Sequence, residues 1–81
     1  MDNALEERIR EIIASTFNLD PEDVGSDASA QTLRAWTSLA QLRLLANIQE
    51  TFGIHLSMDD MLNMTSVQAI EHVLAAKGVV A

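Results

Sequence analysis

Several features that mark other classes of protein are missing from this 81-residue chain. There is no cysteine, which excludes a disulfide framework and a thiolate zinc site. The net charge of −7 argues against nucleic acid or an anionic membrane surface as the main partner. Arg43 and Asn47 interrupt the longest apolar stretches, so we expect no segment that spans a bilayer. The N-terminus also lacks the basic start and apolar run of a signal peptide, and a cytoplasmic protein is expected.

Strand signals are missing too, whereas helical signals recur along the chain. Apolar residues return with a period near 3.6, which is typical of helices, and do not alternate with a period of two. The length permits one small domain. Apolar residues make up 48% of the chain, which is too high a fraction for a disordered protein. We therefore expect one all-α domain over residues 1–81, a monomeric four-helix bundle with three main helices, one short helix and a long first loop.

Cap and stop signals place the helices. We predict helices over residues 3–17, 38–52 and 58–63, and a last helix that begins after Thr65 or Ser66 and closes at Lys77 and Gly78. Asn3 is expected to cap the first helix, while Ser38–Gln41 and Thr65–Gln68 fit capping boxes. Gly53 fits the left-handed residue that ends the second helix.

Apolar residues predict which parts of these elements are buried. In the long loop over residues 18–37, residues 20–23 form a short helical turn, and Leu19, Val24 and Leu33 are expected to pin the loop to the core. The predicted buried stripe of the second helix consists of Leu39, Leu42, Leu45, Ala46, Ile48 and Phe52. That of the last helix consists of Val67, Ile70, Val73 and Leu74.

Catalytic and metal-binding motifs are not found. No serine lies in a nucleophile elbow, and the acidic loop that begins at Asp20 fails the calcium pattern at Val24 and Gln31. His55, His72 and Asp59 lack the spacing of metal ligands. The sequence therefore predicts a protein that is not an enzyme and holds no metal.

Ser38 is the residue with the clearest potential for chemistry. It lies where the long loop meets a helix N-terminus, and the free N–H groups and dipole of such an end favour a phosphate. Serine is also a preferred N-cap, and most capping serines have no other role. Position alone therefore leaves both interpretations open.

The residues around and after Ser38 resemble the acyl carrier protein family. Ser38-Leu39 is followed at fitting distances by Phe52-Gly53-Ile54 and by Thr65-Ser66-Val67-Gln68-Ala69, and the resemblance extends from about Leu5 to Leu74. The family pattern at the modified residue is Asp-Ser-Leu, and Thr37 replaces the aspartate here.

The resemblance implies a carrier function. Ser38 would accept 4′-phosphopantetheine from coenzyme A, transferred by a separate magnesium-dependent phosphopantetheinyl transferase, with Trp36, Thr37 and Leu39 flanking it. Acyl or polyketide-type intermediates would then ride as thioesters on the thiol of the arm, which the cofactor supplies because the chain has no cysteine. The expected protein is thus a stand-alone phosphoprotein of fatty acid or polyketide biosynthesis. It would serve acyl- or aminoacyl-loading and downstream biosynthetic enzymes.

Departures from the family pattern indicate dedicated partners. The helix of Ser38 usually carries a row of carboxylates, whereas residues 31–52 here hold two arginines against one glutamate. Trp36 is larger than the usual residue at its position, and we expect its ring to cover the junction of loop and helix. Five residues occupy positions that match the family's acyl cavity: Leu42, Ala46, Met61, Leu62 and Met64. Alternatively, these residues pack in the core or form a partner surface.

Two other functions fit the same sequence. One is a peptidyl carrier for nonribosomal peptide assembly, which differs in cargo rather than in mechanism. The other is a helical interaction module of the same fold in which Ser38 is never modified.

Overall fold

Four α-helices make up most of the computed structural model, which describes residues 4–79. They are α1 (Ala4–Phe17), α2 (Ser38–Phe52), α3 (Met58–Asn63) and α4 (Val67–Ala76), and a 3₁₀ turn covers Pro21–Asp23. Within residues 4–79 there is no strand, only an isolated antiparallel bridge between Ser29 and Ser66. The prediction of a small all-α bundle is confirmed. None of the described helices is long and apolar enough to cross a bilayer.

The core forms where α1, α2 and α4 turn their apolar faces toward one another. Its fully buried side chains include Ile9, Ile13, Leu44, Ile48, Leu56, Met64, Val67, Ile70 and Leu74. Val73 is half-buried against this cluster, so the predicted stripe of α4 is confirmed. Within α1, α2 and α4, spacings of three and four residues bring the buried side chains to one face of each helix, which is why helices of this length are stable in the bundle.

The predicted buried stripe of α2 is partly wrong. Leu45 and Ile48 are buried and Phe52 is half-buried, as expected, but Leu39 and Leu42 are 61% and 64% exposed and Ala46 is exposed. Leu44, which the prediction omitted, is fully buried. α2 has apolar residues on two faces, and the spacing alone did not show which face meets α1.

The long loop is held to the helices by side chains and by backbone hydrogen bonds. Val24 is fully buried, and Leu19 and Leu33 pack against the core, which confirms their predicted role. The Arg10 guanidinium donates to the Val24 carbonyl at 2.6 Å. The loop also joins the start of α4: the Val67 N–H donates to the Ala28 carbonyl at 3.0 Å, and the Ala30 N–H donates to the Thr65 carbonyl at 2.9 Å.

The helix ends agree with the predicted signals in part. Gly53 ends α2 in the left-handed region (φ 63°), as predicted, and Gly78 (φ 81°) follows α4. Ser66, one of the two predicted caps, begins α4 by accepting from the Ala69 N–H, so the Thr65–Gln68 box does not form. The predicted cap Asn3 lies outside the described residues.

Candidate functional site

Ser38 is the first residue of α2 and not its cap. The cap is Thr37, whose side-chain oxygen accepts from the Ala40 N–H at 3.2 Å, so the predicted Ser38–Gln41 capping box is wrong. Thr37 is extended (φ −87°, ψ 174°), as an N-cap requires. Threonine thus takes the capping role that an aspartate at this position would also suit. The Ser38 hydroxyl is exposed and is not used to start the helix.

The surroundings of Ser38 suit an attached phosphate group. The N–H groups of Ser38 and Leu39 have no acceptor among the described residues, because the first turn of a helix leaves these donors free. They lie at the positive end of the α2 dipole, which favours an anion. A phosphate on the Ser38 hydroxyl would therefore meet favourable electrostatics without any charged side chain.

An open depression, the Ser38 depression, lies next to this hydroxyl. Its volume is about 360 Å³. Its lining residues are Ala30, Trp36, Thr37, Ser38, Gln41, Leu42 and Thr65. The depression is formed by residues of the long loop, of α2 and of the junction between α3 and α4. Its mainly apolar lining suits a flexible arm or the first atoms of a cargo.

Trp36 covers the junction of loop and helix, as expected. Only 5% of the residue is exposed, and its ring packs edge-on against Phe17 of α1, with centroids 5.5 Å apart. The indole N–H donates to the Gln41 side-chain oxygen, which satisfies the polar atom of this buried ring. Trp36 also contributes to the lining of the Ser38 depression.

Gln41 does not take part in the predicted capping box but joins three segments of the chain. Its amide nitrogen donates to the Met64 carbonyl at 2.8 Å and more weakly to the Met61 carbonyl at 3.4 Å. Gln41 therefore joins the loop, α2 and the end of α3; we call these hydrogen bonds the Gln41 bridge. Its spacing from the buried Leu44, Leu45 and Ile48 places it on the inward face of α2, and this spacing is the sequence signal for its role.

The residues predicted for an acyl pocket or a partner surface differ widely in their exposure. Leu42 borders the Ser38 depression, Ala46 is exposed, and Leu62 is 70% exposed on α3. Met61 is half-buried against the core and Met64 is fully buried. The described structure therefore divides this set between the surface and the core.

Charge is sparse around the exposed face of α2. Arg43 is exposed on this helix, next to the exposed Leu42. The acidic side chains of α3 lie in its first turn, where the Lys77 ammonium contacts Asp60 at 2.9 Å. This contact and hydrogen bonds from Ser57 lower the pKa of Asp60 from 3.8 to about 2. Within residues 4–79, no group of three or more potential ligands could hold a metal ion.

Comparison with known proteins identifies the family. The model for a phosphopantetheine attachment site matches residues 7–74 of the chain. The chain is also 27% identical over 71 residues to polyketide-8 synthase acyl carrier protein 2 of Streptomyces avermitilis, covering 88% of this chain and 82% of that protein. The protein belongs to the phosphopantetheine-dependent carrier family, which confirms the resemblance to acyl carrier proteins. It is a carrier rather than an enzyme, and its cofactor is covalently attached 4′-phosphopantetheine.

Proposed function

We propose that this protein is an acyl carrier whose 4′-phosphopantetheine arm is attached to the hydroxyl of Ser38. The observation that carries the proposal is the position of that hydroxyl. It is exposed, is freed from capping by Thr37, and lies at the positive end of α2 beside the Ser38 depression. Ser57 and Ser66 also precede helices, but their hydroxyls accept the capping N–H groups of Asp60 and Ala69.

The attachment step needs an accessible serine and a separate transferase. The Ser38 oxygen forms a bond to the phosphorus that bears the pantetheine of coenzyme A, and the bond between the two phosphates of that molecule breaks. The hydroxyl proton passes to a base of the transferase, and the adenosine-containing part leaves. The attached arm supplies a terminal thiol that carries acyl groups as thioesters. The protein itself presents the arm and positions it for partner enzymes.

We favour an acyl or polyketide-type cargo over an aminoacyl one. The relative described above is a polyketide synthase acyl carrier protein, and the lining of the Ser38 depression is mainly apolar. A peptidyl carrier would use the same attachment chemistry. The mass of the protein purified from its native host distinguishes the two, because the group bound to the arm adds its own mass. An aminoacyl group would contradict the acyl proposal.

The exposed face of α2 is the proposed contact for partner enzymes. It presents Leu39 and Leu42 together with Arg43, where a carboxylate row would present negative charge. Charge complementarity mainly sets encounter rate and partner choice. We therefore expect a broad-specificity transferase to load the protein faster than a fatty-acid-type holo-synthase. Equal loading rates would contradict this preference for dedicated partners.

Intact mass tests the attachment directly. After incubation with coenzyme A, magnesium and a broad-specificity transferase, we expect the protein to gain the mass of one phosphopantetheine group. Ser38→Ala should abolish the gain, whereas Ser57→Ala and Ser66→Ala should keep it. A wild-type chain that folds but never gains this mass would leave an unmodified helical module as the better interpretation. If Ser38→Ala is still loaded, the attachment site is a residue other than Ser38.

A further inference from the structure

Part of the wall of the Ser38 depression is formed by a hydrogen-bonded side chain. Gln41 lines the depression, and its side-chain amide donates a hydrogen bond to the Met64 carbonyl at 2.8 Å. Met64 is fully buried. The same amide accepts from the indole N–H of Trp36. The Gln41 bridge therefore stands between the depression and the core of the bundle.

Opening this wall would expose polar groups that have few other partners. The Trp36 indole would lose the acceptor of its N–H while its ring stays buried. The Met64 carbonyl belongs to the C-cap residue of α3, and the Gln41 amide satisfies it at the point where the helix supplies no donor. A buried group left without its hydrogen bond is costly, so the closed arrangement is strongly favoured.

We propose that the Gln41 bridge keeps the cargo out of the core, so that the acyl group stays in the Ser38 depression or in solvent. The inference rests on the proposed attachment at Ser38. The carrier is then built for acyl groups that gain little from burial, because they are short or carry polar oxygens. A long saturated chain has no entry to the apolar core, where each methylene would otherwise be stabilised.

The test compares the melting temperatures of chains that carry acyl groups of increasing length. The wild type, Gln41→Ala and the control Gln49→Ala are loaded from acetyl-, hexanoyl- and octanoyl-coenzyme A, and loading is checked by intact mass. Gln49 is a suitable control because it is a half-buried glutamine of the same helix whose side chain also bonds a backbone group, the Leu56 N–H at 3.0 Å. Gln49→Ala loses this one hydrogen bond and Gln41→Ala loses those of the Gln41 bridge, but only Gln41→Ala opens the depression inward.

We expect the melting temperature of the wild type and of Gln49→Ala to be independent of chain length. In Gln41→Ala it should rise by roughly 4 °C or more from the acetyl to the octanoyl form, because the chain gains access to the apolar interior. If this variant fails to fold, Gln41→Glu replaces it, since the carboxylate keeps the acceptor for Trp36 but loses the donor to Met64.

The melting temperatures test the proposed role of the Gln41 bridge, and the mass gain tests the proposed function. A wild-type melting temperature that rises with chain length would overturn the inference, and so would a flat response in a loaded Gln41 variant. Absence of the mass gain in the wild type would overturn the proposed function itself. Loading of all three chains with a length effect in the Gln41 variant alone would support both.

Discussion

Thr37 caps α2 and Ser38 is the proposed attachment site, two tasks that one serine could have combined. Thr37 supplies the oxygen that caps α2, and Ser38 occupies the first helical position with an exposed hydroxyl. A hydroxyl that accepted a backbone N–H would lose that bond, or distort the helix start, when converted to a phosphodiester. The separation of the two roles allows modification without loss of the cap.

Substitution of the two residues should separate loading from stability. Ser38→Ala should abolish loading and change the unfolding free energy by about 0.5 kcal/mol or less, because an exposed residue without a capping bond is replaced. Thr37→Ala should keep loading and cost about 1 kcal/mol, the typical value of an N-cap. Intact mass and urea unfolding measure the two effects.

Thr37→Ser is the matched control for the cap, because it keeps the capping oxygen and should restore most of the stability. If Ser38→Ala lowers the unfolding free energy as much as Thr37→Ala does, Ser38 also stabilises the start of the helix.

The helix α2 carries apolar side chains on opposite faces with different roles. Leu44, Leu45 and Ile48 lie in the core, whereas Leu39 and Leu42 are exposed next to Ser38. Exposed leucines at scattered positions are common on protein surfaces, but these two flank the proposed attachment site. α3 adds Met58 and Leu62 as further exposed apolar side chains.

Leucine truncation on the two faces of α2 should have different effects. Leu44→Ala removes a fully buried side chain and should lower the unfolding free energy by about 2–5 kcal/mol. Leu42→Ala should change it by about 0.5 kcal/mol or less, since 64% of the residue is already exposed. Urea unfolding of both variants measures the difference.

The rate of loading by the transferase gives a second measurement for the Leu42 side chain. Leu42→Ala should slow loading, because the partner loses an apolar contact beside Ser38, while an unchanged rate would remove Leu42 from the proposed contact face. A loss of stability as large as that of Leu44→Ala would contradict the exposed position.

At the scale of the whole molecule, contacts between distant segments fix the fold. The long loop is joined to α1 by Arg10 and to the start of α4 by two backbone hydrogen bonds. Lys77, the C-cap residue of α4, contacts Asp60 of α3. Asp60 also accepts from the Ser57 N–H at 3.1 Å, so one carboxylate serves a cap and an ion pair.

The stability of the protein should depend on pH through Asp60. The contact with Lys77 and the hydrogen bonds from Ser57 lower its pKa in the folded protein from 3.8 to about 2. A lowered pKa means that the contribution is complete above about pH 4 and is lost as the pH falls toward 2. Asp60→Asn should therefore reduce the loss of stability between pH 4 and pH 2, measured by denaturant unfolding.

Asp59→Asn is the control for this titration, because Asp59 is an exposed neighbour on the same helix and has no ion pair among the described residues. An unchanged pH dependence in Asp60→Asn, or an equal effect of Asp59→Asn, would contradict the role given to the Asp60–Lys77 contact.

The sequence by itself determined the helices, most of their ends and the family. The bounds of α2 and α3 and the left-handed Gly53 follow from local rules, because a helix and its stop depend on neighbouring residues. The tertiary structure alone decided which face of α2 is buried. It also placed Gln41 between Trp36 and Met64, residues far apart in the chain. Such choices depend on side chains that meet only after packing, and a pattern of spacings along one segment contains no information about them.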